Sequence, residues 1–225
     1  MISNERLTRI ARKKNLFNRK LLKWSESNSS IFPWRNTCDP YKIMISEMLL
    51  RRTRATSVTS VYDQFTKRFP DVKTLAEGDI NEIRNIIRPL GMLSRAENLK
   101  LVASKISLYH GDNFPQTETE MLQCIGSKSK YAVNAIRCFA LKKRVPIFDA
   151  NVKRIFERVF SIHLGTDAHK RKESWKLASL LLPARRVKEY NWAMLDLGRL
   201  VCTPSRPNCT ICPLKSICDY SKKNL

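Results

Sequence analysis

An all-α fold is what the sequence predicts, and two observations carry it. Apolar residues recur at three- and four-residue spacing in nearly every segment, and no run alternates with period two for long enough to build a sheet. Prolines, glycines and polar runs break the pattern at intervals, so the helices are short. With 225 residues and 43% apolar content the chain can bury a real core, in one large domain or two small ones.

Residues 5–24 set Leu7, Ile10, Leu16, Phe17, Leu21, Leu22 and Trp24 among Lys and Arg, which reads as a basic amphipathic helix. A polar Ser/Asn run and the rigid turn Phe32-Pro33-Trp34-Arg35 follow. Asp39-Pro40 then opens a helix expected over 41–54, with Asp as cap and Pro at its first position. Ile43, Met44, Ile45, Met48, Leu49 and Leu50 cover nearly its whole circumference, so it should be buried. Its one acid, Glu47, is costly there and should have a raised pKa; a structural partner for Arg51 one turn on and a general acid are both open readings. Further helices are expected over 58–69, 79–88, 92–110, 118–124, 132–143, 168–182 and 187–201.

Lys and Arg number 42 against 20 Asp and Glu, a net charge of +22 spread along the chain. Charge on that scale repels itself and suits a polyanionic partner, so nucleic acid is expected ahead of membrane or acidic protein. No segment approaches the roughly 18 apolar residues of a membrane span, and the first residues lack a signal-peptide core. A cytoplasmic, nucleoid-associated monomer is expected.

The chain is organised around Gly126-Ser127-Lys128-Ser129-Lys130-Tyr131 and, further on, Phe148-Asp149-Ala150-Asn151. This reads as a turn, a helix with a basic outer face, an extended or loop run over 145–148, and a second helix capped by Asp149. The basic face suits backbone phosphate, and a carboxylate at the mouth of a helix suits chemistry on something cationic, which together suggest an enzyme acting on nucleic acid. The helix N-terminus should hold the Asp149 pKa down.

Cys202, Cys209, Cys212 and Cys218 stand as C-x6-C-x2-C-x5-C, with Pro204, Pro207 and Pro213 keeping the segment out of helix. Four thiolates in one compact loop can enclose a tetrahedral zinc or a cubane iron-sulfur cluster, and softness alone does not separate them. Cys38, Cys124 and Cys138 lie beside apolar positions and read as packing residues.

The order of hairpin, Phe148-Asp149-Ala150-Asn151 and four-cysteine loop resembles the endonuclease III superfamily of helix-hairpin-helix DNA base-excision glycosylases, over about residues 32 to 218. Pro33-Trp34-Arg35, Asp39-Pro40-Tyr41 and Glu47 through Arg51-Arg52-Thr53 are most similar to Mig-type thymine-DNA mismatch glycosylases, with MutY adenine glycosylases next. The resemblance implies a bilobal fold, with a helical-bundle domain over 36–147 and a cluster domain from 1–35 plus 148–225. It implies a 4Fe-4S cluster at the four cysteines and double-stranded DNA with a mismatched or damaged base as partner. Asp149 falls on the family's catalytic aspartate, Glu47 on the position MutY uses to protonate its base, and Tyr131 where bifunctional members carry a Schiff-base lysine. A tyrosine forms no imine, so the enzyme should be monofunctional; Lys130 is adjacent but turned about 100° away along the helix.

Leu50, Arg51 and Arg52 resemble the family's wedge segment, which fills the gap left by a flipped base; Ser127, Lys128, Ser129, Lys130 and Asn151 fall on its DNA-contacting positions. One departure stands out. The family hairpin is Gly-hydrophobic-Gly, whereas Ser127-Lys128-Ser129 has neither glycine, so Lys128 and the serine hydroxyls are expected to take over by side-chain contact. The substrate implied is thymine or uracil opposite guanine. Adenine opposite 8-oxoguanine or guanine is the alternative, disfavoured because MutY proteins carry a further C-terminal domain for which the seven residues after Cys218 leave no room. A non-catalytic iron-sulfur DNA-binding protein is the other alternative; retention of Asp149, Tyr131, Asn151 and Glu47 together argues against it.

Overall fold

The computed structural model describes residues 4–224. Among them are twelve α-helices, a few single 3-10 turns and no strand, so the all-α expectation holds. The chain forms two compact units, residues 31–143 and residues 1–30 with 144–225.

In the unit of residues 31–143, α2 (Pro40–Leu50) is the central helix, packed on by α3 (Ala55–Arg68), α6 (Ser94–His110) and α8 (Lys130–Phe139). It is buried at Tyr41 and from Ile43 through Leu49 because its sequence offers no continuous polar face. Asp39 caps it as expected, its Oδ1 accepting from the Tyr41 backbone N–H at 2.9 Å. The short helices α4 (Val72–Glu77), α5 (Ile80–Ile87) and α7 (Glu118–Ile125) complete the unit. Periodicity misses α4, which has only six residues; its signal is the reciprocal capping of Asp71 and Thr74.

The helix expected over 41–54 stops at Leu50, and the cause lies far along the chain. Arg95, in the first turn of α6, is buried, and its guanidinium donates to Leu49 O at 2.9 Å, to Arg51 O at 2.7 Å and to Thr53 Oγ1 at 3.1 Å. Those bonds satisfy the last carbonyls of α2 and let the chain turn, with Arg52 in the left-handed region at φ 57°. The helix expected over 132–143 likewise spans Lys130–Phe139 and ends before Lys142, which has φ 53°.

In the other unit, α1 (Asn4–Asn28) buries Ile10, Phe17 and Leu21 and packs on α10 (Lys172–Leu181) and α11 (Val187–Leu200). Phe17 meets Phe160 of α9 (Ala150–Phe160) and Tyr190 of α11, with ring centroids 5.7 and 6.3 Å apart. The run 145–148 is extended without a strand partner; Asn191 of α11 holds it, donating to Val145 O at 3.0 Å and accepting from Ile147 N–H at 3.4 Å. The terminal α12 (Asp219–Asn224) packs on α9.

Arg95→Ala should leave the carbonyls of Leu49 and Arg51 without their donor. The expected cost is about 3 kcal/mol, read as a lower urea midpoint in an unfolding titration. An unchanged midpoint would remove Arg95 as the reason α2 ends where it does.

Candidate active site

Asp149 sits at the N-cap of α9, where its Oδ1 accepts from the Val152 backbone N–H at 2.8 Å. Its other oxygen accepts from Asn151 Nδ2, also at 2.8 Å. Both carboxylate oxygens are thus oriented by groups in the first turn of the same helix, an arrangement the Asp-Ala-Asn spacing dictates. The sequence expectation of a lowered pKa is corrected. Burial pushes the Asp149 pKa above the usual carboxylate range, outweighing the opposing pull of the Val152 and Asn151 hydrogen bonds and of the Arg154 charge.

Arg154, one turn further on, extends this arrangement toward the cysteines. Its Nη2 donates to Asn151 Oδ1 at 2.7 Å and to Gly198 O at 2.8 Å, while its Nε donates to Cys202 O at 2.7 Å. Arg158, on the same face of α9, donates to Thr203 O and Pro204 O at 2.7 Å, lies 3.3 Å from Cys202 Sγ and stacks on the Tyr220 ring at 4.9 Å. Sequence reading placed no function on either arginine. Their spacing of four, facing a loop with no secondary structure of its own, was the available signal.

Cys202, Cys209, Cys212 and Cys218 line one small pocket together with apolar side chains that include Ile155, Leu197 and Leu214. The Cys212 thiol is pushed up to about 11 by burial, with the other three cysteines adding to the rise. Four soft donors converging on a greasy cavity fit a thiolate-bound metal centre, and binding one would displace their protons. Among the described residues no three His, Cys, Asp or Glu side chains stand close enough to enclose a single metal ion. Of the remaining cysteines, Cys124 and Cys138 are buried as expected, whereas Cys38 is exposed.

In the unit of residues 31–143, Glu47 is 6% exposed on α2. Arg51, considered as its partner, directs its Nη2 to Ser129 Oγ at 3.1 Å, joining the turn after α2 to the hairpin between α7 and α8. Leu50 is half-buried, Arg51 and Arg52 are exposed, and Tyr131 is half-buried in the first turn of α8. In the hairpin Gly126 takes the positive φ of 113° and Ser129 N–H closes the turn on Gly126 O at 2.9 Å. Ser127, Lys128 and Lys130 are exposed. Ser129 is buried, and its hydroxyl donates to Ile125 O at 3.3 Å while accepting from Arg51. Its hydroxyl serves the turn, contrary to the expectation that it would reach outward. The helix expected from Met92 begins at Ser94, which leaves Met92 and Leu93 as an exposed apolar pair before it; Met92 has φ 54° and lies 3.8 Å from the Arg95 guanidinium that shapes the turn after α2.

Residues 45–179 match the model of the HhH-GPD superfamily of base excision DNA repair proteins. The chain belongs to that superfamily. As an HhH-GPD protein it is a DNA glycosylase, a hydrolase of the N-glycosidic bond, and its substrate is DNA with a damaged or mismatched base. It is 36% identical over 207 residues to a thymine-DNA glycosylase of Aeropyrum pernix, covering 90% of this chain and 92% of the relative. It is 32% identical to an adenine DNA glycosylase of Buchnera aphidicola, over 90% of this chain but 58% of that protein. The solved structure of a thermostable thymine-DNA glycosylase superposes with a TM-score of 0.85 at 30% identity, covering 94% of this chain and 98% of the other. No described helix of this HhH-GPD chain is long and apolar enough to cross a membrane.

Arg158→Ala should release the segment after Cys202, since three loop contacts and the Tyr220 stack depend on one guanidinium. Limited proteolysis should then cut between Thr203 and Asn208 several-fold faster than in the unaltered protein, with a melting temperature lower by roughly 5 °C. Equal cleavage rates would show that the loop holds itself.

Proposed function

We propose that this HhH-GPD protein is a monofunctional glycosylase that releases thymine or uracil mispaired with guanine. The observation that carries the mechanism is the Asp149 carboxylate, fixed through both oxygens at the mouth of α9. As the bond from C1′ to the base nitrogen breaks, positive charge develops on the sugar, and a preset carboxylate lowers that barrier without having to reorganise. Water then adds at C1′, and its proton ends on the released base.

Glu47, buried on an apolar helix, serves to hydrogen-bond or protonate the leaving base, and by the family resemblance Tyr131 takes the position at which a lyase would carry its amine. Leu50, Arg51 and Arg52 enter the stack or meet the orphaned guanine, with Met92 and Leu93 as a further exposed apolar turn. Ser127, Lys128, Lys130 and Asn151 contact backbone, and Ser129 supports them from within. Similarity to a thymine-DNA glycosylase across nearly the whole of both chains supports the choice of base. Adenine release is the competing reading, favoured by the resemblance to the Buchnera enzyme.

Cys202, Cys209, Cys212 and Cys218 hold a 4Fe-4S cluster in this reading, and its part is to brace the loop. The C-x6-C-x2-C-x5-C spacing and its resemblance to the iron-sulfur glycosylases support a cubane over zinc at these four thiols.

Single-turnover base release should be fastest for G·T and G·U, and slower for adenine opposite 8-oxoguanine or guanine. Asp149→Asn should lower it by about 10³-fold or more while mismatch affinity stays within a few-fold. Because Asp149 works ionised and its pKa is raised, the rate should be full at high pH and fall as pH drops through a value above the ordinary 3.9 or so of an aspartate. Adenine released fastest would overturn the substrate assignment; full activity in Asp149→Asn would move the catalytic role elsewhere.

Purified protein should be brown, with about four irons and four labile sulfides per chain. Colourless protein with stoichiometric zinc would contradict the cluster.

A further inference from the structure

Gly198 lies in the last turns of α11, in helical conformation and without the positive φ that would demand a glycine. Glycine is a poor helix former, so its place there asks for a reason outside the helix. The neighbour supplies one. A Cβ built on Gly198 would stand 2.5 Å from Asn151 Cβ, 3.0 Å from its Cγ and 3.2 Å from its Oδ1. The nearest of these atoms is fixed to the α9 backbone, so rotating the Asn151 side chain cannot relieve the contact; the first turn of α9 would have to shift.

That turn carries the carboxylate. Asn151 Nδ2 donates to Asp149 Oδ2 at 2.8 Å, and Asn151 Oδ1 accepts from Arg154, whose Nη2 is itself shared with Gly198 O at 2.8 Å. Gly198 therefore touches this arrangement twice, by the absent side chain that lets α9 approach and by the carbonyl that anchors Arg154. From this we infer that Gly198 is a positioning residue for base excision, setting the Asp149 carboxylate through Asn151. The inference rests on Asp149 being the catalytic carboxylate. It adds a residue of α11 that contacts neither DNA nor the reacting atoms in the reading above.

The test compares full-length Gly198→Ala, Asn151→Gly, the double variant and Asp149→Asn, each by single-turnover release of thymine from a G·T duplex and by affinity for the same duplex. Gly198→Ala should lose at least about tenfold in rate with affinity within about twofold, a split that general loosening of the fold would not give. Asn151→Gly removes both the amide donor and the Cβ that the new methyl strikes. The double variant should therefore react at the rate of Asn151→Gly alone, whereas independent effects would multiply. Wild-type rate in Gly198→Ala, or a double variant slowed by the product of the two single losses, overturns the inference. If Gly198→Ala does not fold, the double variant should fold, and its failure to do so overturns the inference as well. Asp149→Asn separates the two levels of the argument. An inactive Asp149→Asn beside a fully active Gly198→Ala sinks the positioning role alone; an active Asp149→Asn sinks the reading on which it rests.

Discussion

In the proposed mechanism, a carboxylate that burial pushes toward its neutral form must nonetheless be charged when a glycosidic bond breaks beside it, and α9 with its neighbours holds that carboxylate in place. Two hydrogen bonds within one helical turn, from Val152 N–H and Asn151 Nδ2, favour the ionised Asp149 and fix both of its oxygens. Arg154 contributes charge and holds Asn151 in place. The guanidinium in turn depends on Cys202 O and Gly198 O, so the loop that carries the four cysteines forms the outer wall of the same construction. The proposed metal centre would need no part in the reaction to matter for it: by bracing the loop it would keep in place the Cys202 carbonyl that holds Arg154, which holds Asn151.

The unit of residues 31–143 shows a parallel economy around Arg95. One buried guanidinium ends α2, shapes the turn that bears Arg51 and Arg52, and lies against Met92. Arg51 then reaches Ser129, so that turn and the hairpin are coupled by a single side chain. Loss of the two family glycines is met locally by a different device. Gly126 keeps the positive φ the turn needs, and the Ser129 hydroxyl ties the turn to Ile125, leaving Ser127, Lys128 and Lys130 for the phosphate backbone in the proposed complex.

What could be read from the sequence followed from local rules. Helical periodicity placed most of the helices, and Asp39 and Asp149 were legible as caps because capping is a matter of neighbours. The spacing of the four cysteines singled them out as a group, and they line one pocket. Misreadings arose where a distant residue decides. Leu50 ends its helix because Arg95 takes the carbonyls, the sign of the Asp149 shift depends on how much of the fold surrounds it, and Cys38 looked like core but faces solvent. Gly198 gave no sign at all, since a helical glycine means close approach only when the approaching atom is known.

The central claim is electrostatic, and the most direct measurement of it is affinity for a charged mimic of the reacting sugar. Duplexes carrying a pyrrolidine abasic analogue, cationic at neutral pH, or its neutral tetrahydrofuran counterpart opposite guanine differ chiefly by that charge. The protein should bind the cation at least about tenfold more tightly, and Asp149→Asn should bind the two alike. Equal affinities in the unaltered protein, or a preference that survives in Asp149→Asn, would contradict the account.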